Sequence, residues 1–209
     1  CCPSRATIFS GRYAHNHQVK ANTDSAAQEL DHRSTLQRYL QDAGYETGIV
    51  GKWHLGTADS LLPSAQGFSY ERMIGKNGLD YYNYSITTSN NEVVFEDHGE
   101  TYLTDKLTDY AVEFIRQESS KPFLLYLSYS APHVVLVPRG DKLRKYFFKY
   151  GKFDGKYNPN YAAMIESMPV PVPASSTRFP RRSTRRLSPA PCCPSTAAPA
   201  LGSDARSLQ

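Results

Sequence analysis

A cysteine, a lysine and two histidines stand in surroundings that could turn them to chemistry. The cysteine is Cys1 of CCPSRATIFSGR, followed at once by Cys2, Pro3, Ser4 and Arg5 and then by Ser10, Gly11 and Arg12. Proline is at home in the first turn of a helix, so Cys1 is expected just ahead of a helix N-terminus, where the backbone dipole favours an anion. Lys52 and His54 alternate in GYETGIVGKWHLG, from Gly44 to Gly56. An ammonium is a compact point charge, and an imidazole titrates near neutrality without help from its surroundings. His133 closes FLLYLSYSAPH, after an apolar run, and α/β sheets place their chemistry at such strand ends. On residue type alone, vicinal thiols could equally be packing or half of a disulfide framework, and most Lys and His side chains are solvated or structural.

The elements that must position these groups read as α/β. In TLQRYLQDA, Thr35 to Ala43, one helical face carries Leu36, Tyr39, Leu40 and Ala43, and Gly44 is a suitable C-terminal cap. ETGIVGKW follows as a short strand. A longer helix is expected over Thr101 to Gln117, with Leu103, Leu107, Tyr110, Ala111 and Phe114 on one side. Lys121-Pro122 ends that pattern, and FLLYLSYS reads as a buried parallel strand. The order helix, strand, helix, strand predicts a mostly parallel sheet flanked by helices. Residues 59–99, rich in Tyr, Asn, Gly and Ser, are expected to be an irregular excursion over the sheet edge where ligands bind.

A chain of 209 residues holds one sizeable core, so it folds as one domain or part of one. No apolar run approaches the roughly 20 residues that cross a bilayer. The first residue is not Met, so the start is expected to be missing and the compartment stays open. The net charge of +4 belongs to the end of the chain: from Pro169 onward there are six Arg, no Lys and one acid, and the remainder sums to −1. This segment also holds eight Pro and a single aromatic, Phe179, so it lacks the means to bury a core and is read as disordered. RRSTRR, Arg181 to Arg186, is read as a solvated linker, because no aromatics interleave to stack bases; neither nucleic acid nor membrane is expected as a partner. Residues 1–168 are therefore one folded unit and 169–209 a tail.

Cys1-x-Pro3-Ser4-Arg5 with Ser10-Gly11-Arg12 resembles the signature of the type I sulfatases, in which the first cysteine is oxidised to formylglycine after synthesis. GYETGIVGKWHLG is similar to the second signature of that family, and Ala131-Pro132-His133 and YAAMIESM, Tyr161 to Met168, are further matches. The resemblance implies an alkaline-phosphatase-like fold, incomplete here at both ends, and sulfate ester hydrolysis. A hydrated aldehyde at Cys1 would offer one hydroxyl to attack sulfur and a second whose deprotonation expels sulfate. By the same resemblance Arg5 would hydrogen-bond the hydrate, Lys52 would contact the ester, His54 would take the proton, and His133 would bind sulfate or protonate the leaving alcohol. Cys2 is assigned packing only. His15, His17, His32 and His98 receive no role, and the second CCPS, Cys192 to Ser195, is read as coincidence.

The family also binds a divalent cation, usually calcium, through carboxylates, an Asn and the formylglycine at Cys1. Its paired Asp would lie before residue 1, no Asp-Asn-Gly follows Met168, and a later lysine is absent, so the chain as given is expected to be inactive. The composition change at Pro169 carries the expectation that 169–209 is a frame-shifted reading. GLDYYNYS, HGETYLTD and HNHQV are similar to the N-acetylglucosamine-6-sulfatase branch, which implies a sulfated polysaccharide or glycosaminoglycan substrate, with Tyr81, Tyr82 and Tyr84 as sugar-stacking or packing residues. Simple aryl sulfates and a non-catalytic anion-binding remnant are the alternatives. A phosphatase of the wider group would carry Ser or Thr in place of Cys1. The resemblance further implies a formylglycine-generating enzyme as maturation partner and a periplasmic, secreted or lysosomal location.

Overall fold

The computed structural model describes residues 1–75, 80–118, 120–152 and 155–168. The tail reading of 169–209, and Gly78 and Leu79 of the GLDYYNYS stretch, lie outside the described residues. The elements are α1 (Cys2–Ser10), α2 (Ala14–His17), α3 (Asp24–Gln28), α4 (Leu36–Asp42), β1 (Glu46–Gly51), β2 (Tyr70–Ile74), β3 (Asn83–Thr87), β4 (Val93–His98), α5 (Leu103–Gln117), β5 (Phe123–Ser128), α6 (Gly140–Tyr150) and α7 (Pro159–Glu166). Two short 3-10 turns, Asp59–Leu61 and Ser64–Gln66, join β1 to β2.

The strands form one sheet in the order β4-β3-β2-β1-β5. β1 runs parallel to both β2 and β5, as the alternation of helix and strand predicts. The other half is antiparallel, β2 with β3 and β3 with β4. Those three strands fall within the segment expected to be irregular, so that expectation is corrected. The Tyr, Ser and Thr of YERMI and NYSIT suit a pleated, half-buried surface, and Ser89, Asn90 and Asn91 occupy the turn between β3 and β4.

Because side chains alternate along β1, Ile49 points to one face and Val50 to the other. Ile49 joins Phe9, Trp53, Phe68 and Met73 under α1, whereas Val50 joins Ile86, Leu103 and Leu107 under α5. Phe9 anchors α1, its ring 4.8 Å from Tyr126, 5.6 Å from Trp53 and 5.9 Å from Phe68; burying such a side chain stabilises by about 1.5–3 kcal/mol. α5 buries Leu103, Leu107, Ala111 and Phe114, the face expected of it, with Tyr110 half-buried beside them.

α4 departs from its expected face. Leu36 and Tyr39 are exposed, and Gln37 is the buried residue. Neighbouring positions on a helix differ by only about 100°, and two turns are too few for the pattern to choose between them. Its end follows expectation: the Gly44 N–H bonds the Gln41 carbonyl and the Tyr45 N–H the Leu40 carbonyl, a Schellman closure with Gly44 left-handed at φ 84°. β5 also differs, since five of its six residues are half-buried rather than buried. It is the terminal strand of the sheet among the described residues.

Gly51 brings β1 to the site. It has φ 108°, and a Cβ there would lie 2.1 Å from the Ser128 carbonyl oxygen of β5. Gly51→Ala is expected to lose about 3 kcal/mol, from backbone strain plus the collision, or to prevent folding. Gly44→Ala, with nothing within 4 Å of its Cβ, should lose only about 1 kcal/mol. Urea unfolding of the two variants checks this; equal losses would contradict the packing of β1 on β5.

Candidate active site

Cys1 is the N-cap of α1, with Pro3 in the first turn, so the expected placement ahead of a helix N-terminus is found. It is exposed and free. After β1 the chain alternates: Trp53 and Leu55 turn into the core, Trp53 donating its indole N–H to the Leu61 carbonyl at 2.9 Å, and Lys52 and His54 face the other way. His54 takes a left-handed backbone, φ 54°, costly for a residue with a Cβ by roughly 1–2 kcal/mol. The buried Cys2 thiol donates to the His54 carbonyl at 2.9 Å and lies 3.9 Å from its Nδ1, while the Cys2 N–H is held by Asn22 Oδ1 at 2.8 Å. Cys2 thus fixes His54 as well as packing, and burial pushes its thiol pKa up, which keeps the proton it donates.

His133 follows β5 in a tight turn, its N–H bonded to the Ser130 carbonyl at 2.8 Å and its own carbonyl accepting from the Tyr81 hydroxyl at 3.2 Å. Cys1, Lys52, His54 and His133, which come from three separate stretches of chain, line one pocket of about 630 Å³. Thr87, Thr88, Ser89 and Asn91, at the β3–β4 turn, also line it, so part of the 59–99 segment borders the same pocket. Arg5 stands beneath the pocket rather than in its lining. Its Nη1 donates to the Lys52 carbonyl at 2.6 Å, Ser128 Oγ at 2.6 Å and the Tyr126 hydroxyl at 3.1 Å.

The field in the pocket is positive. Burial, then the nearby Arg5, lowers the Lys52 pKa; burial, then Lys52 and Arg5, lowers that of His54. A neutral imidazole beside an ammonium and a helix N-terminus can receive an anion and then accept a proton. Tyr81 and Tyr84 are buried in the core, so of the two roles open to them they take packing; Tyr82 is half-buried against Tyr102. His17 is buried and satisfied by Thr7 Oγ1 and the Val19 N–H.

The residues present do not fit a calcium cage. Among the described residues Asp24 is the one carboxylate lining the pocket, and its oxygens accept from the Thr57 N–H, Thr57 Oγ1 and the Ala58 N–H. Among the described residues there is no group of three His, Cys, Asp or Glu that could hold a metal. Asn22 and Asp24 escape a reading of the sequence, because neither stands in a motif and their partners are 20 and 33 residues away.

Comparison with known proteins gives these residues a family. The sulfatase family model matches residues 1–169. The human N-acetylglucosamine-6-sulfatase is 30% identical over 198 residues, 86% of this chain and 35% of its own length. The goat N-acetylglucosamine-6-sulfatase is 35% identical over 149 residues, 64% of this chain and 26% of its own. The chain therefore spans about a quarter to a third of these relatives. Among solved structures, Ps i-CgsB superposes with a TM-score of 0.58 at 26% identity, covering 79% of this chain and 41% of that one. BT4656, in complex with its substrate D-glucosamine-2-N,6-O-disulfate, gives 0.52 at 28% identity, covering 71% and 28%. The mixed sheet between helices is the alkaline-phosphatase-like fold of those neighbours, and the chain belongs to the sulfatase family.

Proposed function

We propose that this chain is the nucleophile-bearing part of a sulfuric ester hydrolase that removes sulfate from a sulfated carbohydrate. The observation that carries the reading is the meeting of Cys1, Lys52, His54 and His133 in one pocket at the N-terminus of α1. The glucosamine sulfate bound by BT4656 and the names of the goat and human relatives support the sugar class. A sugar sulfate is anionic at one end and neutral at the other, and the pocket has the same polarity: cationic groups beside Cys1, hydroxyls and an amide on the β3–β4 wall.

Formylglycine, made from Cys1 by a formylglycine-generating enzyme, would supply when hydrated the hydroxyl that attacks sulfur. Lys52 places its charge on the sulfuryl oxygens, where negative charge grows in the transition state. His54, neutral because its pKa is lowered, accepts the proton whose loss releases sulfate. His133 holds the sulfate or protonates the leaving alcohol. Arg5 fixes Cys1 and Lys52 relative to each other, and a bond to the modified side chain would fall to its Nε or Nη2, since Nη1 is committed beneath the pocket. Calcium, with Cys1 as a ligand, belongs to the same reading of the whole protein, as does a periplasmic, secreted or lysosomal location.

Two outcomes test this. In the full-length protein, Cys1→Ala should abolish hydrolysis of a sugar sulfate, Lys52→Ala should raise KM and lower kcat, and His54→Ala should lower kcat by about 10²–10⁴ with a burst of alcohol release. Turnover retained by Cys1→Ala sinks the reading. In this chain, the His54 imidazole followed by NMR should titrate below the usual value of about 6.5. A neighbouring positive charge opposes imidazolium, so Lys52→Met should move the midpoint up, and added sulfate should move it up in the wild type. A midpoint that ignores both would contradict the cationic pocket.

A further inference from the structure

The pocket accounts for one sulfated unit; the surface beyond it carries a second set of groups with no part in that site. From Arg139 to Tyr157 the sequence has seven Lys and Arg against two Asp, whereas residues 1–138 sum to −5. The positive charge outside the tail is thus gathered on α6 and the turn that follows it. No residue of α6 is buried, and Arg144, Lys149 and Lys152 are exposed. Part of the charge is already answered: Glu166 of α7 binds Lys142 at 3.2 Å and Lys145 at 2.8 Å, which holds its carboxyl down at about 2, and Arg139 pairs with Asp105 and Asp141.

Aromatic rings run through the same surface. Tyr146 stacks on Tyr150 with centroids 6.1 Å apart and planes at 10°, and Tyr150 stacks on Tyr157 at 5.2 Å and 13°. Lys145, Lys149 and Lys156 lie about these rings, each near 5 Å from a centroid. Arg139, the N-cap of α6, is six positions after His133 in the pocket, so the two lie within about 20 Å even if that segment is extended.

The geometry points to α6, with Lys152, Lys156 and Tyr157 beyond it, as a second binding surface, for the continuing chain of a sulfated polysaccharide whose terminal or neighbouring unit occupies the pocket. This rests on the sulfated-carbohydrate reading above. A linear polyanion presents sulfates at intervals to separate cations, and the stacked tyrosines hold Lys145, Lys149 and Lys156 in such a row. Membrane insertion fits less well, since it takes a face of several apolar side chains and Phe148, 82% exposed, is the ring that stands clear, with Phe147 at 45%.

The test is equilibrium binding of a heparin oligosaccharide to the full 209-residue chain across a salt series, with Arg181, Arg182, Arg185 and Arg186 changed to Gln so that the tail does not mask the surface. Adding Arg144→Gln, Lys149→Gln and Lys152→Gln should weaken binding about tenfold and reduce the slope of log K against log salt by about two to three. The single change Lys149→Gln should weaken it about two- to threefold, and Tyr150→Ala should weaken binding with the salt slope unchanged. Affinity untouched by the α6 changes overturns the proposal, as does equal binding of a desulfated oligosaccharide. So does equally tight, α6-dependent binding of phosphatidylserine vesicles or of an oligodeoxythymidine, which would make this a lipid or nucleic-acid surface. None of these outcomes involves turnover or the His54 titration, so failure here leaves the reading of the pocket standing or falling by itself.

Discussion

The buried Arg5 guanidinium holds the site together. Only 9% exposed, it sits where α1 meets the carboxyl ends of β1 and β5, and one nitrogen reaches a carbonyl after β1, a hydroxyl at the end of β5 and a phenol within β5. Each bond crosses between segments far apart in sequence, so the loop bearing Lys52 and the strand leading to His133 are both referred to the helix that begins at Cys1. A buried charge is costly unless hydrogen bonds surround it, and losing these acceptors would leave it stranded. The close approach of β1 to β5 at Gly51 is the complementary constraint.

From this arrangement the character of the pocket follows. Arg5 below, Lys52 at the side and the N-terminus of α1 in front are all positive, and the pocket-lining carboxylate of Asp24 is occupied in tying α3 to Thr57 and Ala58. Like charges lower one another's proton affinity, which favours the neutral form of the imidazole. An incoming anion relieves the repulsion. The left-handed backbone at His54 is part of the same design, since it turns the imidazole out of the core while Trp53 and Leu55 on either side stay buried, and the Cys2 thiol holds it there.

Much of this was legible in the sequence, and unevenly. Cys1, Lys52, His54 and His133 could be found because chemistry dictates their residue types and short motifs preserve their local spacing. Pro3 announced the helix start and Gly44 the end of α4. α5 showed its buried face because fifteen residues give the period four turns in which to declare itself. α4, at seven residues, did not, and Gln37 lies where Leu36 was expected. β2, β3 and β4 were hidden by Tyr, Asn and Ser, which serve strands and turns alike. β5 reads as a strand buried on both faces but is half-exposed at the end of this sheet. α6 buries no residue, although Leu143, Tyr146, Phe147 and Tyr150 recur at helical spacing and offered a period that could have marked it. The contacts of Asn22, Asp24 and Arg5 are long-range and have no sequence signature at all.

The claim on which everything rests is that Cys1 is the residue to be converted, held at a helix N-terminus and opposite the basic groups that use it. Mass spectrometry of the peptide containing Cys1, from the full-length protein coexpressed with a formylglycine-generating enzyme, addresses it most directly. The account predicts a loss of about 18 Da at Cys1, thiol replaced by aldehyde, with Cys2 unchanged. An unmodified Cys1, or conversion at Cys2 instead, would contradict it.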